Sequence, residues 1–282
     1  MSFFRTFLAV VVVAAIAPFA VTQEKTPLTL IVMDPLAAPL SCPCVKGYAQ
    51  RDYEKLAKHL EKQLGREVKL HFNESLSNAL EKKTAGKADL IIGKESIIRH
   101  ESKANKLATT PIASLTGKDG KTTMTGLFVI ASEDKAVTLA DVKGYRILFG
   151  PSNADEKHSA ALELLKVFEV SPPKQLETCN SCSDGACKVL DLHKTGAKAA
   201  TVISSYAQPL LEGCGTIKKG DLRVIGETDP MPFVVAFVSD RVSAADRAAI
   251  QKALLQVGSM PDLCTALETK SGFVPLEKAK KK

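Results

Sequence analysis

The 282-residue sequence contains no tryptophan, and aromatic residues make up only 5% of it. An aromatic cage for a quaternary ammonium group needs several rings around one cation and is not expected here. Arginine-rich stretches with interleaved aromatic residues are also missing, and the net charge of +7 is modest, which argues against nucleic-acid binding. Part of that charge lies in residues 277–282, which we expect to form a solvated basic tail.

Common catalytic motifs are missing as well. The sequence has no Gly-x-Ser-x-Gly, no glycine-rich phosphate-binding loop and no His-Glu-x-x-His. Asp155 and Glu156 form a carboxylate pair, but neighbours in sequence point to different faces of a helix and not across a substrate. We therefore expect a protein that is not an enzyme and carries no cofactor.

Long apolar runs are confined to the N-terminus. Arg5 precedes an apolar segment from Phe7 to Ala20, and small residues follow, which is the layout of a secretory signal peptide. The segment is shorter than the ~20 apolar residues that span a bilayer. We assign residues 1–22 to a signal peptide and expect the remaining chain to be periplasmic or secreted.

The remaining chain alternates between strand-like and helix-like patterns. Apolar runs rich in β-branched residues predict strands at 28–33, 68–72 and 88–92, and apolar residues at helical spacing predict helices at 52–64 and 75–85 between them. This alternation indicates a parallel sheet with right-handed crossovers.

A second alternation begins after a glycine- and lysine-rich break. The chain passes between the two units twice, near 124–132 and 226–236, as expected of a hinge. The predicted fold is therefore α/β, with two Rossmann-like lobes and a double-crossing hinge. The predicted limits are 26–125 and 229–276 for lobe 1 and 126–228 for lobe 2.

Several motifs, taken in order and spacing, resemble a known family. They are Gly86 to Gly93, Leu139-Ala140-Asp141-Val142-Lys143-Gly144-Tyr145-Arg146-Ile147, Gly196 to Tyr206, and Gly272 to Pro275. Together they resemble the substrate-binding components of phosphate and phosphonate ABC transporters, a branch of the class II periplasmic binding proteins. The resemblance implies a protein that holds a small polar ligand, with a phosphate or phosphonate oxyanion first in line, and delivers it to an ABC permease. We also expect a monomer.

The resemblance also implies ligand-binding positions. Family members present a Ser-Thr-Ser-Gly-like turn at a helix N-terminus, where N–H groups favour an anion. Here the same turn reads Ala154-Asp155-Glu156-Lys157, and its carboxylates are expected to repel a phosphonate. Leu76 stands where the family often has tyrosine. The expected contacts are Ser41, Tyr48, Ser75, Lys94 (as the cation) and Ser96 in lobe 1, and Ser152, Asn153, Ser159, Ser205 and Tyr206 in lobe 2.

Seven cysteines leave more than one interpretation open. An exported protein favours disulfides, with one thiol left over by the odd count. The alternative function is a metal-binding or redox partner protein on the same scaffold, and its candidate thiolates are Cys42, Cys44, Cys179, Cys182 and Cys187, with His158 as a further candidate ligand.

The Cys179-x2-Cys182 pair decides how far the redox interpretation can go. We expect this pair in a loop, ahead of a helix that begins near Lys188. A thiol oxidoreductase needs its Cys-x2-Cys at the start of a helix after a strand, so the expected placement argues against that activity.

Overall fold

The computed structural model describes residues 26–41 and 49–276. The strands are β1 (Leu28–Met33), β2 (Val68–Phe72), β3 (Leu90–Lys94), β4 (Thr109–Leu115), β5 (Thr123–Met124), β6 (Gly126–Ala131), β7 (Arg146–Phe149), β8 (Glu177–Thr178), β9 (Ala199–Ser204), β10 (Leu222–Glu227), β11 (Met231–Pro232), β12 (Val234–Ser239) and β13 (Phe273–Val274). The predicted signal peptide and basic tail lie outside the described residues.

Eight α-helices connect these strands in the described part of the chain. They are α1 (Tyr53–Leu64), α2 (Leu76–Lys82), α3 (Glu95–Ala104), α4 (Ser159–Val167), α5 (Cys182–Lys194), α6 (Ala207–Gly213), α7 (Ala244–Leu255) and α8 (Pro261–Ala266). Short 3-10 turns occur at Leu139–Val142, Asp155–Lys157 and Gln256–Ser259. None of the helices within 26–41 and 49–276 is long and apolar enough to cross a membrane.

The first sheet has six strands in the order β13-β4-β12-β3-β1-β2. Strand β1 pairs in parallel with both β2 and β3, which confirms the arrangement predicted from the first alternation. Strand β12 lies antiparallel between β3 and β4. Since β12 follows β11 in sequence, the six-stranded sheet is completed by chain that returns from the second sheet.

The second sheet has five strands in the order β10-β6-β9-β7-β8. Strand β7 is parallel to β8 and β9, and β6 is antiparallel to β9 and β10. The chain enters this sheet through β5 and leaves it through β11, and these two short strands pair with each other. The predicted two-lobed α/β fold with a double-crossing hinge is therefore confirmed. We call the part built on the six-stranded sheet lobe 1 and the part built on the five-stranded sheet lobe 2, and we keep the sequence-based limits as a proposal.

Strand β1 shows why a strand of lobe 1 appears in the sequence as a continuous apolar run. Its alternate residues point to opposite faces of the sheet, as pleating requires. Leu28 and Leu30 join the core that includes α1 and α7, whereas Ile31 and Met33 join the core that includes α2 and α3. Both faces of the sheet are covered, so every residue of β1 is buried.

Helix α5 begins six residues earlier than its sequence pattern indicates. Ser181 is its N-cap and accepts a hydrogen bond from the Asp184 backbone N–H at 3.0 Å. Gly185 weakens the helical pattern, yet it is needed, because a Cβ there would lie 2.6 Å from Thr201 Oγ1 on β9. The prediction of a loop up to Lys188 is therefore wrong, and the helix starts at Cys182.

Candidate functional site

A cavity of about 590 Å³ lies between the lobes, and we call it the cleft cavity. Lobe 1 contributes mainly apolar side chains to it, among them Met33, Leu40 and Ile97, together with the polar residues Ser41 and Glu74. Lobe 2 contributes polar groups from the loop after β7 and from the first residues of α5, and mainly apolar side chains from α6. A small ligand in the cleft cavity would therefore touch an apolar wall on one side and a polar wall on the other.

Lys157 is the cation of the lobe 2 wall. It is 7% exposed and lines the cleft cavity. Its Nζ donates to Cys182 Sγ at 3.6 Å and forms no ion pair with a carboxylate of the described residues. Gly150 makes this position possible, because an added Cβ would lie 2.5 Å from Lys157 Cβ. A buried ammonium that faces a cavity without a counter-ion favours an anionic ligand.

The N-terminus of α5 forms the second part of the polar wall. Asn180, Ser181, Cys182 and Ser183 all line the cleft cavity. The first backbone N–H groups of a helix lack carbonyl partners within it, and the helix dipole places partial positive charge there. This thirteen-residue helix thus adds N–H groups and hydroxyls that can donate to the oxygens of an anion.

Asn153 supplies a third polar group. It lines the cleft cavity, and its Oδ1 is buried without a hydrogen-bond partner among the described residues. Buried polar atoms are nearly always bonded, so an unpartnered acceptor beside a cavity marks a place where a donor group of a ligand can bond. The side chain was predicted as a ligand contact from its sequence position, and the structure brings it to the cavity.

The turn Asp155–Lys157 does not present its carboxylates to the cleft cavity. Glu156 accepts from Lys94 Nζ at 2.5 Å and from Ser204 Oγ at 2.6 Å. Asp155 bonds His100 Nε2 at 2.9 Å and also Arg99. The predicted repulsion of an anion by these carboxylates is therefore corrected, because both are paired with side chains of lobe 1.

The pKa shifts agree with this pairing. Burial raises the pKa of Asp155, but hydrogen bonds from His100 and Arg99 outweigh it and lower that pKa below its ordinary value. Burial lowers the pKa of Lys94, and the charge of Glu156 opposes this effect. Lys94 was predicted as the cation that meets the ligand. In the structure its ammonium is 2.5 Å from Glu156 and does not line the cleft cavity.

The other predicted ligand contacts fall into three groups. Ser41 and Tyr206 line the cleft cavity together with Asn153. Ser75 is the N-cap of α2, Ser96 is buried, Ser152 and Ser159 are exposed, and Ser205 Oγ accepts from the Thr125 backbone N–H at 3.1 Å. Tyr48 lies outside the described residues. Lys157, Asn180, Ser181 and Ser183 line the cleft cavity but were not among the predicted contacts. The capping serine of α5 was a sequence signal for Asn180, Ser181 and Ser183.

Tyr206 lies where the cleft cavity meets a second cavity. Its ring stacks on Phe233 with centroids 4.9 Å apart, and the guanidinium of Arg51 lies 5.5 Å from the Phe233 centroid. Burial raises the pKa of Tyr206 well above its ordinary value. The second cavity, of about 730 Å³, lies beside β5 and includes Ser205 in its lining. Tyr206 therefore lines both cavities, and its stacking partner Phe233 lines the second one.

The cysteines of the described residues are free thiols. They are Cys179, Cys182, Cys187, Cys214 and Cys264. Burial raises the pKa of Cys179 to about 11. No group of three or more potential metal ligands occurs within 26–41 and 49–276, and the candidate thiolates Cys42 and Cys44 lie outside these residues. His158, the further candidate ligand, bonds the Gly150 carbonyl through Nδ1 at 2.9 Å.

The Cys179-x2-Cys182 pair does lie at the start of a helix after a strand. Cys179 follows β8 directly, and Cys182 is the first residue of α5. The expectation of a loop position is therefore wrong, because the capping serine between the two cysteines begins the helix earlier. The described residues still give the metal or redox alternative no positive support.

Comparisons with known proteins give a consistent picture. A family model described as the periplasmic substrate-binding protein of phosphonate ABC transporters matches residues 47–280. The binding-protein component of an ABC phosphonate transporter from Pseudomonas aeruginosa is 14% identical with a TM-score of 0.66, over 90% of this chain and 82% of that one. No curated protein sequence matches this chain.

Two further solved structures share the fold. PhnD1 from Prochlorococcus marinus, in complex with methylphosphonate, is 14% identical with a TM-score of 0.63, over 89% of this chain and 93% of that one. XAC2383 from Xanthomonas citri, bound to chloride ion, is 17% identical with a TM-score of 0.64, over 89% and 92% of the two chains. At such low identities these structures support the two-lobed fold and leave the ligand of this chain open.

Proposed function

Because the chain belongs to the family of periplasmic substrate-binding proteins of phosphonate ABC transporters, we propose that it captures a small oxyanion in the cleft cavity and presents it to a membrane permease. The family also places the protein in the periplasm. The proposed ligand is an organophosphonate with a short apolar substituent, since an oxyanion suits the polar wall and an alkyl group suits the apolar wall.

The buried ammonium of Lys157 carries this proposal. It faces the cleft cavity, and no carboxylate of the described residues neutralises it. An anion bound there would gain a charge-assisted hydrogen bond from Lys157 and further bonds from the first N–H groups of α5. Asn153 and Ser183 lie on the same wall, and the Asn153 Nδ2 and the Ser183 hydroxyl are donors that would complete the shell around the oxyanion.

The apolar wall supports an organic ligand over inorganic phosphate. Met33, Leu36 and Ile97 of lobe 1 line the cleft cavity together with Lys157. Inorganic phosphate would leave these side chains against polar oxygens, whereas a methyl or ethyl group would bury apolar surface against them. Each buried CH₂ contributes about 0.8 kcal/mol.

Isothermal titration calorimetry of the mature chain tests the proposal. The ligands are methylphosphonate, ethylphosphonate, inorganic phosphate and sulfate. We expect the phosphonates to bind most tightly. Lys157→Met should weaken that binding by about 2–5 kcal/mol, or at least roughly 30-fold, because it removes one partner of a buried charge pair.

Lys166→Met is the matched control. Lys166 is an exposed lysine of α4 that pairs with Glu163 at 2.6 Å on the same helix. Lys166→Met removes the same charge from lobe 2 as Lys157→Met and should leave the affinity for phosphonates unchanged. If the wild-type protein releases no heat with any of the four anions at millimolar concentration, the proposed ligand class is wrong.

A further inference from the structure

A set of ion pairs joins the two lobes beside the cleft cavity. Lobe 1 supplies Lys94, at the end of β3, and Arg99 and His100 on α3, while lobe 2 supplies Asp155 and Glu156. We call these five residues the interlobe latch. All of its partners belong to the chain itself, so no ligand atom takes part in it.

The inner part of the latch is a buried network. Lys94 and Glu156 have side-chain exposures of 3% and 0%, and Glu156 also accepts from Ser204 Oγ. The Ser204 backbone N–H donates to Cys182 Sγ at 3.4 Å, and Cys182 in turn contacts Lys157. Polar contacts thus run from Lys94 in lobe 1 to the ammonium that lines the cleft cavity in lobe 2.

The outer part of the latch is partly exposed. Asp155 is 21% exposed at its side chain and its partners Arg99 and His100 are 48% and 42% exposed. Pairs of this kind require little desolvation, but solvent screens their attraction, so each contributes little on its own. Because Asp155 bonds two residues of α3 at once, separation of the lobes at this point would break both contacts.

The position of the latch is fixed by the backbone. Gly126, the first residue of β6 after the hinge, lies so close to Glu156 that an added Cβ would be 1.9 Å from the Glu156 carbonyl oxygen. The turn Asp155–Lys157 is therefore held against the hinge end of lobe 2, facing the start of α3. The carboxylates meet lobe 1 in a defined geometry and not as mobile surface groups.

We propose that the interlobe latch closes the two lobes in the absence of ligand, with Glu156 acting as an internal counter-ion for Lys94. A cation beside a ligand cleft ordinarily gains its counter-ion only when an anionic ligand binds. Here lobe 2 supplies that negative charge itself, so the closed form is populated before binding and the ligand meets Lys157 in a partly preorganised cavity.

The test uses the ligand-free mature chain, after bound small molecules have been removed by partial unfolding and dialysis. Small-angle X-ray scattering gives the radius of gyration, and hydrogen exchange reports opening at residues 94–100 and 155–157. The variants are Glu156→Gln, Asp155→Asn and, as matched control, Glu163→Gln, which removes an exposed carboxylate of α4 paired only within its helix.

We expect the ligand-free wild-type protein and Glu163→Gln to be equally compact. Glu156→Gln should increase the radius of gyration and speed exchange at the start of α3 at least roughly tenfold, because it leaves Lys94 buried without a counter-ion. Asp155→Asn should shift both readouts in the same direction by less. If Glu156→Gln fails to fold, Asp155→Asn still tests the inference. The Asp155 side chain is partly exposed, so this substitution should not prevent folding.

Two results would overturn the inference. One is a ligand-free wild-type protein as expanded as the variants, and the other is no change in either variant relative to Glu163→Gln. Both measurements are made without ligand, so they are independent of whether the proposed phosphonate binds.

Discussion

The lobe 1 wall of the cleft cavity is made mainly of apolar side chains, with Ser41 and Glu74 as its polar members, whereas the lobe 2 wall carries an ammonium, an amide and a helix N-terminus beside apolar residues of α6. Lobe 1 has cations close by, but Lys94 and Arg99 are paired with the carboxylates of Glu156 and Asp155. Lobe 2 retains Lys157, which has no such partner among the described residues.

The paired cations of lobe 1 and the unpaired cation of lobe 2 indicate different roles for the two lobes in binding. A group that is already paired gains little from a new anion, so the cations of lobe 1 serve closure. An unpaired buried group gains a great deal, so lobe 2 selects the charge of the ligand. Lobe 1 then selects the size and apolarity of the substituent, because its wall offers mainly contact area.

In lobe 2, Gly150→Ala should displace the Lys157 side chain and weaken anion binding. The new Cβ would lie 2.5 Å from Lys157 Cβ and 2.8 Å from its Cε, so the lysine must move. We expect phosphonate affinity to fall at least roughly tenfold, which corresponds to about 1.4 kcal/mol. Calorimetry measures this loss.

Gly117→Ala is the control for that substitution. Its nearest contact is the flexible side chain of Asp119 at 2.8 Å, and it lines the second cavity only. Affinity should stay unchanged in this variant. Equal losses in both variants would show that a general effect on folding, and not the position of Lys157, controls binding.

Two helix caps allow the lobes to be compared on equal terms. Ser181 Oγ accepts from the Asp184 N–H at 3.0 Å in lobe 2, and Ser243 Oγ accepts from the Asp246 N–H at 3.1 Å at the start of α7. Replacement of either serine by alanine should lower the free energy of unfolding by about 1 kcal/mol. Denaturant titration measures both losses.

Only Ser181→Ala should also weaken phosphonate binding, because only the N-terminus of α5 lines the cleft cavity. The expected loss is a few-fold, since the backbone N–H groups remain. If Ser243→Ala weakened binding by the same factor, the N-terminus of α5 would have no direct role in holding the anion.

In lobe 1, Ile97→Ala tests whether the apolar wall binds the alkyl substituent of the ligand. Ile97 lines the apolar wall, and its truncation removes surface that an alkyl substituent would bury. Ethylphosphonate affinity should fall a few-fold, at about 0.8 kcal/mol for each CH₂ that is no longer buried. Phosphate affinity should not change. A loss for phosphate as large as that for ethylphosphonate would contradict the assigned role of this wall.

The sequence predicted most of the fold because its buried strands are continuous apolar runs. β1 and β2 were predicted with the bounds that the structure shows. Strand β4 was not predicted, since Pro111 and three threonine or serine residues interrupt its apolar pattern. Tertiary pairing with β12 stabilises it despite that pattern.

The site was harder to predict because it depends on contacts distant in sequence. Lys94 and Glu156 are separated by 62 positions, so nothing local shows that they neutralise each other. Lys157 stands next to two acidic residues, and the sequence therefore suggests a local ion pair. The structure shows instead that both acids are bonded to lobe 1, which leaves Lys157 facing the cavity.

The smallest expected effect concerns a charge cluster of lobe 2 outside the cleft cavity. Hydrogen bonds from Arg146 and Lys188 lower the pKa of Glu177 from 4.5 to about 2. A carboxylate whose pKa is depressed in the folded state stabilises the protein above its unfolded pKa, and this contribution disappears as the pH falls toward the folded pKa. The difference in unfolding free energy between wild type and Glu177→Gln should therefore be constant above about pH 5 and vanish toward about pH 2.

Urea titrations at several pH values measure that difference. Its size should be small, because Arg146 and Lys188 are 47% and 39% exposed and solvent screens the pair. Phosphonate affinity at neutral pH should be the same in wild type and Glu177→Gln, because Glu177 does not line the cleft cavity. A large affinity loss in this variant would mean that charge far from Lys157 contributes to anion selection, and the division of roles between the two walls would then be wrong.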